Sequence, residues 1–481
     1  MNKRNVSAEK SNGRFTLLGL LLAALLITAC GKSGEQQDSS ADTTSEGDAV
    51  ATARQAGEGA EAKNGEPDTD QASDPGSILD SIAEQYVQLV LALGNHDKSY
   101  VDAYYGPADW KASAEQDPAS AAELANRAEQ LLAQLPETVE PGDDLETLRI
   151  HYLKTQLRAV AYHAHHLGDA GFRDFDREAK ALYDTEPPVQ TFDEFEPVLA
   201  QLEQELPGED PLYLRVKAFQ DQFVIPEDKM PAVFDAAIEA CRERTKQHVD
   251  LPQAESFKLE YVQDKPWSGY NWYQGNAHSL IQINTELPVH IDRAIDLGCH
   301  EGYPGHHTYN ALLEQTLVED KGWREYSVYP LFSPQSLIAE GSANYGIELA
   351  FPGGEKAEFE KETLYPLAGL DPARAEKYDR VLALKEKLSF AENIVARQYI
   401  NGKIDRDRAV ELFQQYAVMS PEKARQRVRF VDTYGAYVIN YNWGKQLVKN
   451  YVEEGAQSQD ARWQRFAKLL SSPRLPSSLN W

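Results

Sequence analysis

Basic residues, cysteine and histidine are all in short supply in this sequence, and each shortage narrows what the chain can be. Forty-eight Lys and Arg stand against 76 Asp and Glu, a formal net charge of −28. Such acidity argues against nucleic acid as a partner and against a hold on anionic lipid through charge; it reads as a solubility property of the surface. Of three cysteines, Cys241 and Cys299 lie in the body of the chain. Sequence does not place them within bonding distance, so a disulfide and two buried thiols both remain open. There is no G-x-S-x-G elbow, which leaves a serine hydrolase without support. There is also no internal repeat of solenoid length.

The N-terminus carries the clearest address. Lys3, Arg4, Lys10 and Arg14 precede an apolar run from Phe15 to Ala29 that is too short and too one-sided for an ordinary spanning helix. The run closes on Leu26-Ile27-Thr28-Ala29-Cys30, which resembles a lipobox. Residues 1–29 are therefore expected to be a lipoprotein signal peptide and Cys30 the acylated first residue of the mature chain. Gly31, rather than an aspartate, follows it, which favours the outer membrane, facing the periplasm. Removing residues 1–29 would leave 44 basic against 75 acidic residues, a net charge of −31. From residue 30 to 77 the chain is small and polar with almost no large apolar side chain, a composition that cannot offset the entropy of ordering and reads as an acidic tether.

The remaining 400 or so residues exceed the size at which one core usually keeps growing, so two lobes are expected, 78–230 and 231–481. The first reads as a helical bundle, with Ile78, Ile82, Tyr86, Leu89 and Leu93 at steps of three and four. Helices are also expected at about 211–224 and 229–248. Alternation in Ser256–Val262 and β-rich character in Ser279–Leu287 predict a small sheet, with Ser279–Thr285 as an edge able to pair with an extended peptide. The aromatic stretch Trp267–Asn276 between them reads as a binding loop. Helical periodicity resumes after Val289, and Ser420-Pro421 marks a helix start. The fold class is mainly α, with a small β-sheet near the site.

Eleven histidines serve 481 residues, yet His300, His306 and His307 crowd together beside Glu301 in His300-Glu301-Gly302-Tyr303-Pro304-Gly305-His306-His307. Neutral imidazole is a preferred zinc ligand, and a glutamate directly after the first histidine can take a proton from an activated water. The order resembles the H-E-x-x-H logic of zinc peptidases, but the spacing is longer. In a regular helix, positions i and i+6 diverge by about 120°, and i and i+7 lie roughly 10 Å apart along the axis. Pro304 and Gly305 can open the helix and bring a later histidine level with His300. His306 is the preferred second ligand; His307 is then a supporting or substrate-facing residue, and the spacing alone leaves the two open. Structural histidines at a helix start are the bland alternative. The other cluster, His163-Ala164-His165-His166, lacks a suitably placed glutamate.

With Glu340-Gly341-Ser342-Ala343-Asn344-Tyr345-Gly346-Ile347-Glu348 downstream, the motif resembles the bacterial domain-of-unknown-function 885 family, with its H-E-x-x-P-G-H-H and E-G-W-A-x-Y-x-E patterns. Ser342 stands where that family has tryptophan, which re-shapes the expected pocket. The resemblance covers the second half of the chain well and extends weakly through Tyr434–Gly444. It implies a gluzincin-like fold, Zn2+ as cofactor, Glu340 as third ligand, and a peptide as substrate. Asn344, one turn on from Glu340, is placed to orient a ligand histidine, and Glu348 lies a further turn along. Tyr441, within a tyrosine series at 434, 437 and 441, is the candidate donor to a developing oxyanion, with Glu301 as general base. The reading from another class is a non-catalytic, metal-containing envelope lipoprotein that binds or scaffolds.

Overall fold

Apolar residues spaced at three and four set the first helix of the computed structural model, which describes residues 75–136, 144–167, 173–265 and 267–479. The signal, Cys30 and the tether lie outside these described residues. Helix α1 (Pro75–Leu93) buries Leu79, Ile82, Tyr86, Val90 and Leu93. It packs with α2 (Ala121–Gln134), started by a Ser120–Glu123 capping box, and α3 (Leu145–His166), where the Asp144 carboxylate accepts from Thr147 N at 2.8 Å. The helices expected at about 211–224 and 229–248 are Leu212–Gln220 and α4 (Met230–Lys246). The site is built mainly from five later helices: α5 (Asp292–Leu297), α6 (His306–Leu313), α7 (Pro334–Ala350), α8 (Pro421–Tyr434) and α9 (Ile439–Glu453). Ser420 caps α8 as expected, its hydroxyl accepting from Lys423 N at 3.2 Å.

Strands are few, and the protein is mainly α-helical. Strand β1 (Val101–Tyr104) pairs antiparallel with β5 (Val328–Pro330), Ala103 opposite Tyr329. The other sheet has the order β2-β4-β3, where β2 is Ser256–Val262, β3 is Gly269–Gly275 and β4 is His278–Asn284. This corrects two expectations. The stretch taken as a binding loop is largely strand β3, whose Asn271, Tyr273 and Gly275 alternate inward while Trp272 and Gln274 face out. The expected edge strand β4 is central instead, because β2 pairs with it in parallel along its whole length and β3 covers its other side; alternation within one strand carries no information about how many neighbours it has.

Residues Gln71–Trp481 form one unit, and its buried apolar side chains make one cluster running from Leu79 to Leu479. Cys241 of α4 and Cys299 are disulfide-bonded, which ties α4 to the residue before His300. Among the described residues no helix is long and apolar enough to cross a membrane.

Candidate metal centre

The motif does break its helix where Pro304 and Gly305 stand. Helix α5 runs into a wider π-type turn, Gly298–Gly302, then Tyr303 is extended and α6 starts afresh at His306. Gly305 doubles the chain back so tightly that a Cβ there would lie 1.8 Å from the carbonyl oxygen of His300. Only glycine allows that approach. The reversal brings His306 level with His300.

Glu340 arrives from α7, and a second close approach puts it there. A Cβ on Gly341 would meet the backbone of Gly444 at 2.5 Å, so α7 and α9 cross almost backbone to backbone at this pair. The crossing seats Glu340 and Asn344 beside the start of α9.

Three ligand-type atoms then converge. His300 Nε2 and His306 Nε2 are 3.1 Å apart. Glu340 Oε2 lies 3.1 Å from the first and 3.7 Å from the second. Tetrahedral zinc with bonds of about 2.0–2.1 Å separates its ligand atoms by roughly 3.3 Å. Hydrogen bonding fixes which nitrogen faces inward: Asn344 Nδ2 donates to the Tyr441 carbonyl at 3.1 Å, so its Oδ1 accepts from His300 Nδ1 at 3.1 Å and leaves Nε2 as a lone pair. Glu340 Oε1 accepts from Tyr437 at 2.8 Å, whereas its buried Oε2 has no hydrogen-bond donor. A buried carboxylate oxygen without a donor, facing an imidazole lone pair, is what a cation would resolve. The donor types and spacing fit Zn2+.

Glu301 is buried, and its carboxylate lies within 4.8 Å of the His300 and His306 nitrogens, close but outside the tight trio. Burial is the main cause that pushes its pKa up to about 7, with Glu340 adding to the rise and His306 opposing it. Gly269 of β3 abuts this carboxylate: a Cβ there would sit 2.9 Å from Oε1. The neighbouring Asn271 donates to the Glu301 carbonyl at 2.7 Å.

His307 does not join the trio. Its imidazole is fully buried on the opposite side, with Nδ1 2.8 Å from Ser279 Oγ and Nε2 3.3 Å from Glu255 Oε2. It is directed away from the trio, since consecutive helical residues point about 100° apart, and both its ring nitrogens are engaged by Ser279 and Glu255. Glu255 also takes Tyr303, Arg242 and Lys246, so it anchors the motif from behind. Glu348 faces Lys445 and Lys449 rather than the site. The tyrosine series is not one helix: Tyr434 ends α8, Gly435–Val438 form a 3-10 turn, and Tyr441 is in α9. Tyr437 holds Glu340, while the Tyr441 ring lies 6.5 Å from that of His300 and nearly parallel to it. The His163 group disperses: His163 meets Asp97, His165 meets Glu129, and His166 meets the Tyr162 carbonyl.

Sequence reading missed Glu255, Tyr437 as the partner of Glu340, and Asp102. Asp102 lies on β1, accepts from Tyr270 of β3, and is electrostatically coupled to His306 and Glu340. Only the tyrosine series carried any signal. Glu255 and Asp102 are ordinary acidic residues in a chain full of them.

No family model matches the chain, and no curated protein matches it. Among solved structures, it is similar to a chain from Colwellia psychrerythraea provisionally described as a lipoprotein, with a TM-score of 0.47 and 14% identity over 75% of this chain and 66% of that one. This chain thus spans about two thirds of that neighbour's length. It is also similar to a chain described as BsuCP, with a TM-score of 0.39 and 11% identity over 81% and 88% of the two chains. Likeness at this level assigns neither a fold nor a function.

Proposed function

We propose that this protein is a zinc-dependent peptidase of the cell envelope, lipid-anchored through Cys30, with His300, His306 and Glu340 as metal ligands and Glu301 as general base. The observation that carries the reading is the buried, donorless Glu340 Oε2 facing two histidine nitrogens, with a second glutamate beside them. The resemblance of the His300–His307 and Glu340–Glu348 motifs to the domain-of-unknown-function 885 family supports it, as does the lipobox for the location. Bound zinc supplies a Lewis acid and makes water acidic near neutrality.

The chain's own residues would do the rest. Glu301 takes a proton from the attacking water on its carboxylate and returns it to the leaving nitrogen. Asn344 keeps His300 in the tautomer that directs Nε2 inward, and Tyr437 holds one oxygen of Glu340 so that the other stays aimed at the histidines. Tyr441, whose ring lies beside that of His300, would donate a hydrogen bond from its O–H to the developing oxyanion. An extended peptide would lie along β3, an edge strand that begins at Gly269 against Glu301 and so leads a substrate backbone to the base.

The test is a mixed peptide library incubated with the protein, with and without a chelator, and read by mass spectrometry. Cleavage abolished by the chelator and restored by Zn2+ is the expected result. No cleavage across a broad library would move the binding or scaffold reading ahead.

A further inference from the structure

Both histidines of the candidate metal centre hang on Cys299. Its carbonyl oxygen accepts from Gly305 N at 3.0 Å, which closes the reversal that brings His306 level with His300. His300 itself is the next residue in the chain. The sulfur of Cys299 is bonded to that of Cys241 in α4, across 58 residues of sequence, and both cysteines are fully buried.

Helix α4 grips the motif at two places. The residue after Cys241, Arg242, serves the far end: its Nη2 lies 2.7 Å from Glu255 Oε1 and its guanidinium 5.7 Å over the Tyr303 ring, and Glu255 in turn takes Tyr303 and His307. The near end, the turn Gly298–Gly302, carries the disulfide. Beside the bond, that turn meets α4 at Gly298, where a Cβ would lie 3.1 Å from Ile238 Cγ1. A glycine presents no side chain to interlock there, so the covalent link sets the position of the turn along α4. Glu340 is placed by other means, the Gly341–Gly444 crossing and the hydrogen bond from Tyr437, neither of which involves α4. The alignment of the two histidines with Glu340 therefore depends on where α4 holds Cys299. Two unbonded sulfurs cannot stay at bonding distance, and in a close-packed interior their separation shifts the Cys299 backbone, and with it His300 and the reversal at Gly305.

We propose that the Cys241–Cys299 disulfide is a positioning device for the metal centre: it sets the affinity for Zn2+ by holding His300 and His306 in line with Glu340, so that the site is complete only in the oxidised protein. This rests on the zinc reading above and deepens it by adding a redox condition for assembly of the site. Zinc capture then follows disulfide formation, an order that suits an oxidising envelope compartment.

A disulfide also stabilises by restricting the unfolded chain, so a lower melting temperature alone says nothing about zinc. The test is zinc affinity at room temperature, read by chelator competition on four forms of the full chain. These are the oxidised wild type; the wild type reduced with a phosphine, freed of it without air and checked by thiol titration; Cys241→Ala/Cys299→Ala; and Leu124→Ala, which removes a buried side chain from α2, away from the site. Circular dichroism establishes that each is folded. Both proteins lacking the bond are expected to bind zinc ~10–100-fold more weakly, the range for losing a group that orients a metal ligand. Leu124→Ala is expected to melt lower and bind zinc as the wild type does. Wild-type affinity in either folded, disulfide-free protein would overturn the proposal. So would disulfide-free proteins that do not fold, since the bond would then act on the whole fold and not on the site. Oxidised wild-type protein that binds no zinc would sink the zinc reading and this proposal together; the other failures leave the zinc reading standing.

Discussion

At the scale of single residues, the motif's two adjacent histidines have separate duties. His306 faces His300 and Glu340, and His307 is locked between Ser279 and Glu255. His306→Ala is therefore expected to lose most of its bound zinc with little loss of stability. His307→Ala is expected to keep zinc near one per chain but to melt several degrees lower, since it leaves Glu255 and Ser279 short of a buried partner. Zinc analysis and thermal melts of the two variants read this out; equal zinc loss in both would make His307 a ligand. Glu255 adds a pH dependence. Burial works to raise its pKa, but hydrogen bonds from His307, Tyr303, Arg242 and Lys246 outweigh that and hold it well below the usual glutamate range. A carboxyl depressed in the folded state stabilises the protein above its unfolded pKa of about 4.3 and loses that contribution as the pH falls further. Melting temperature should thus drop more steeply below pH 4.3 in the wild type than in Glu255→Gln; parallel curves would remove Glu255 from the account. The preference for His306 was legible in the sequence, whereas the anchoring of His307 by Ser279 and Glu255 was not, because only the fold says which face each histidine occupies.

Among the elements, the crossing of α7 and α9 does the most to place the site. The Gly341–Gly444 contact leaves no room for a side chain. Gly444→Ala would force the helices apart and is expected to cost on the order of 1–3 kcal/mol, with weaker zinc binding because Glu340 moves with α7. Unchanged stability and zinc affinity in that variant would mean that the helices can slide without disturbing the ligands. Sequence pattern reached this far only in part. The helix break at Pro304-Gly305 followed from backbone chemistry, helix spacing found α1 and α4, and the Ser420-Pro421 cap signal found the start of α8. Strand order did not follow, since β2 and β4 are parallel neighbours with β3 between them in the chain. The 3-10 turn at Gly435–Val438 likewise escaped, because a tyrosine series at steps of three and four looks the same with or without an interruption.

For the whole molecule, the site draws on segments far apart in sequence: β1, β3, the turn after α5, α7 and α9 all meet there, and one apolar cluster binds them. Local motifs therefore picked out the His300, Glu301, His306 and Glu340 side chains that the fold brings together, while Asp102, some 200 residues upstream of His300, carried no signal in the sequence. The claim at the centre is that Glu301 acts on protons while His300, His306 and Glu340 hold the metal, and the rate of peptide cleavage per bound zinc in Glu301→Gln tests it most directly. The account predicts one zinc per chain in both proteins and a rate lower by ~10²–10⁴ in the variant; a variant that cleaves at the wild-type rate per zinc would contradict it.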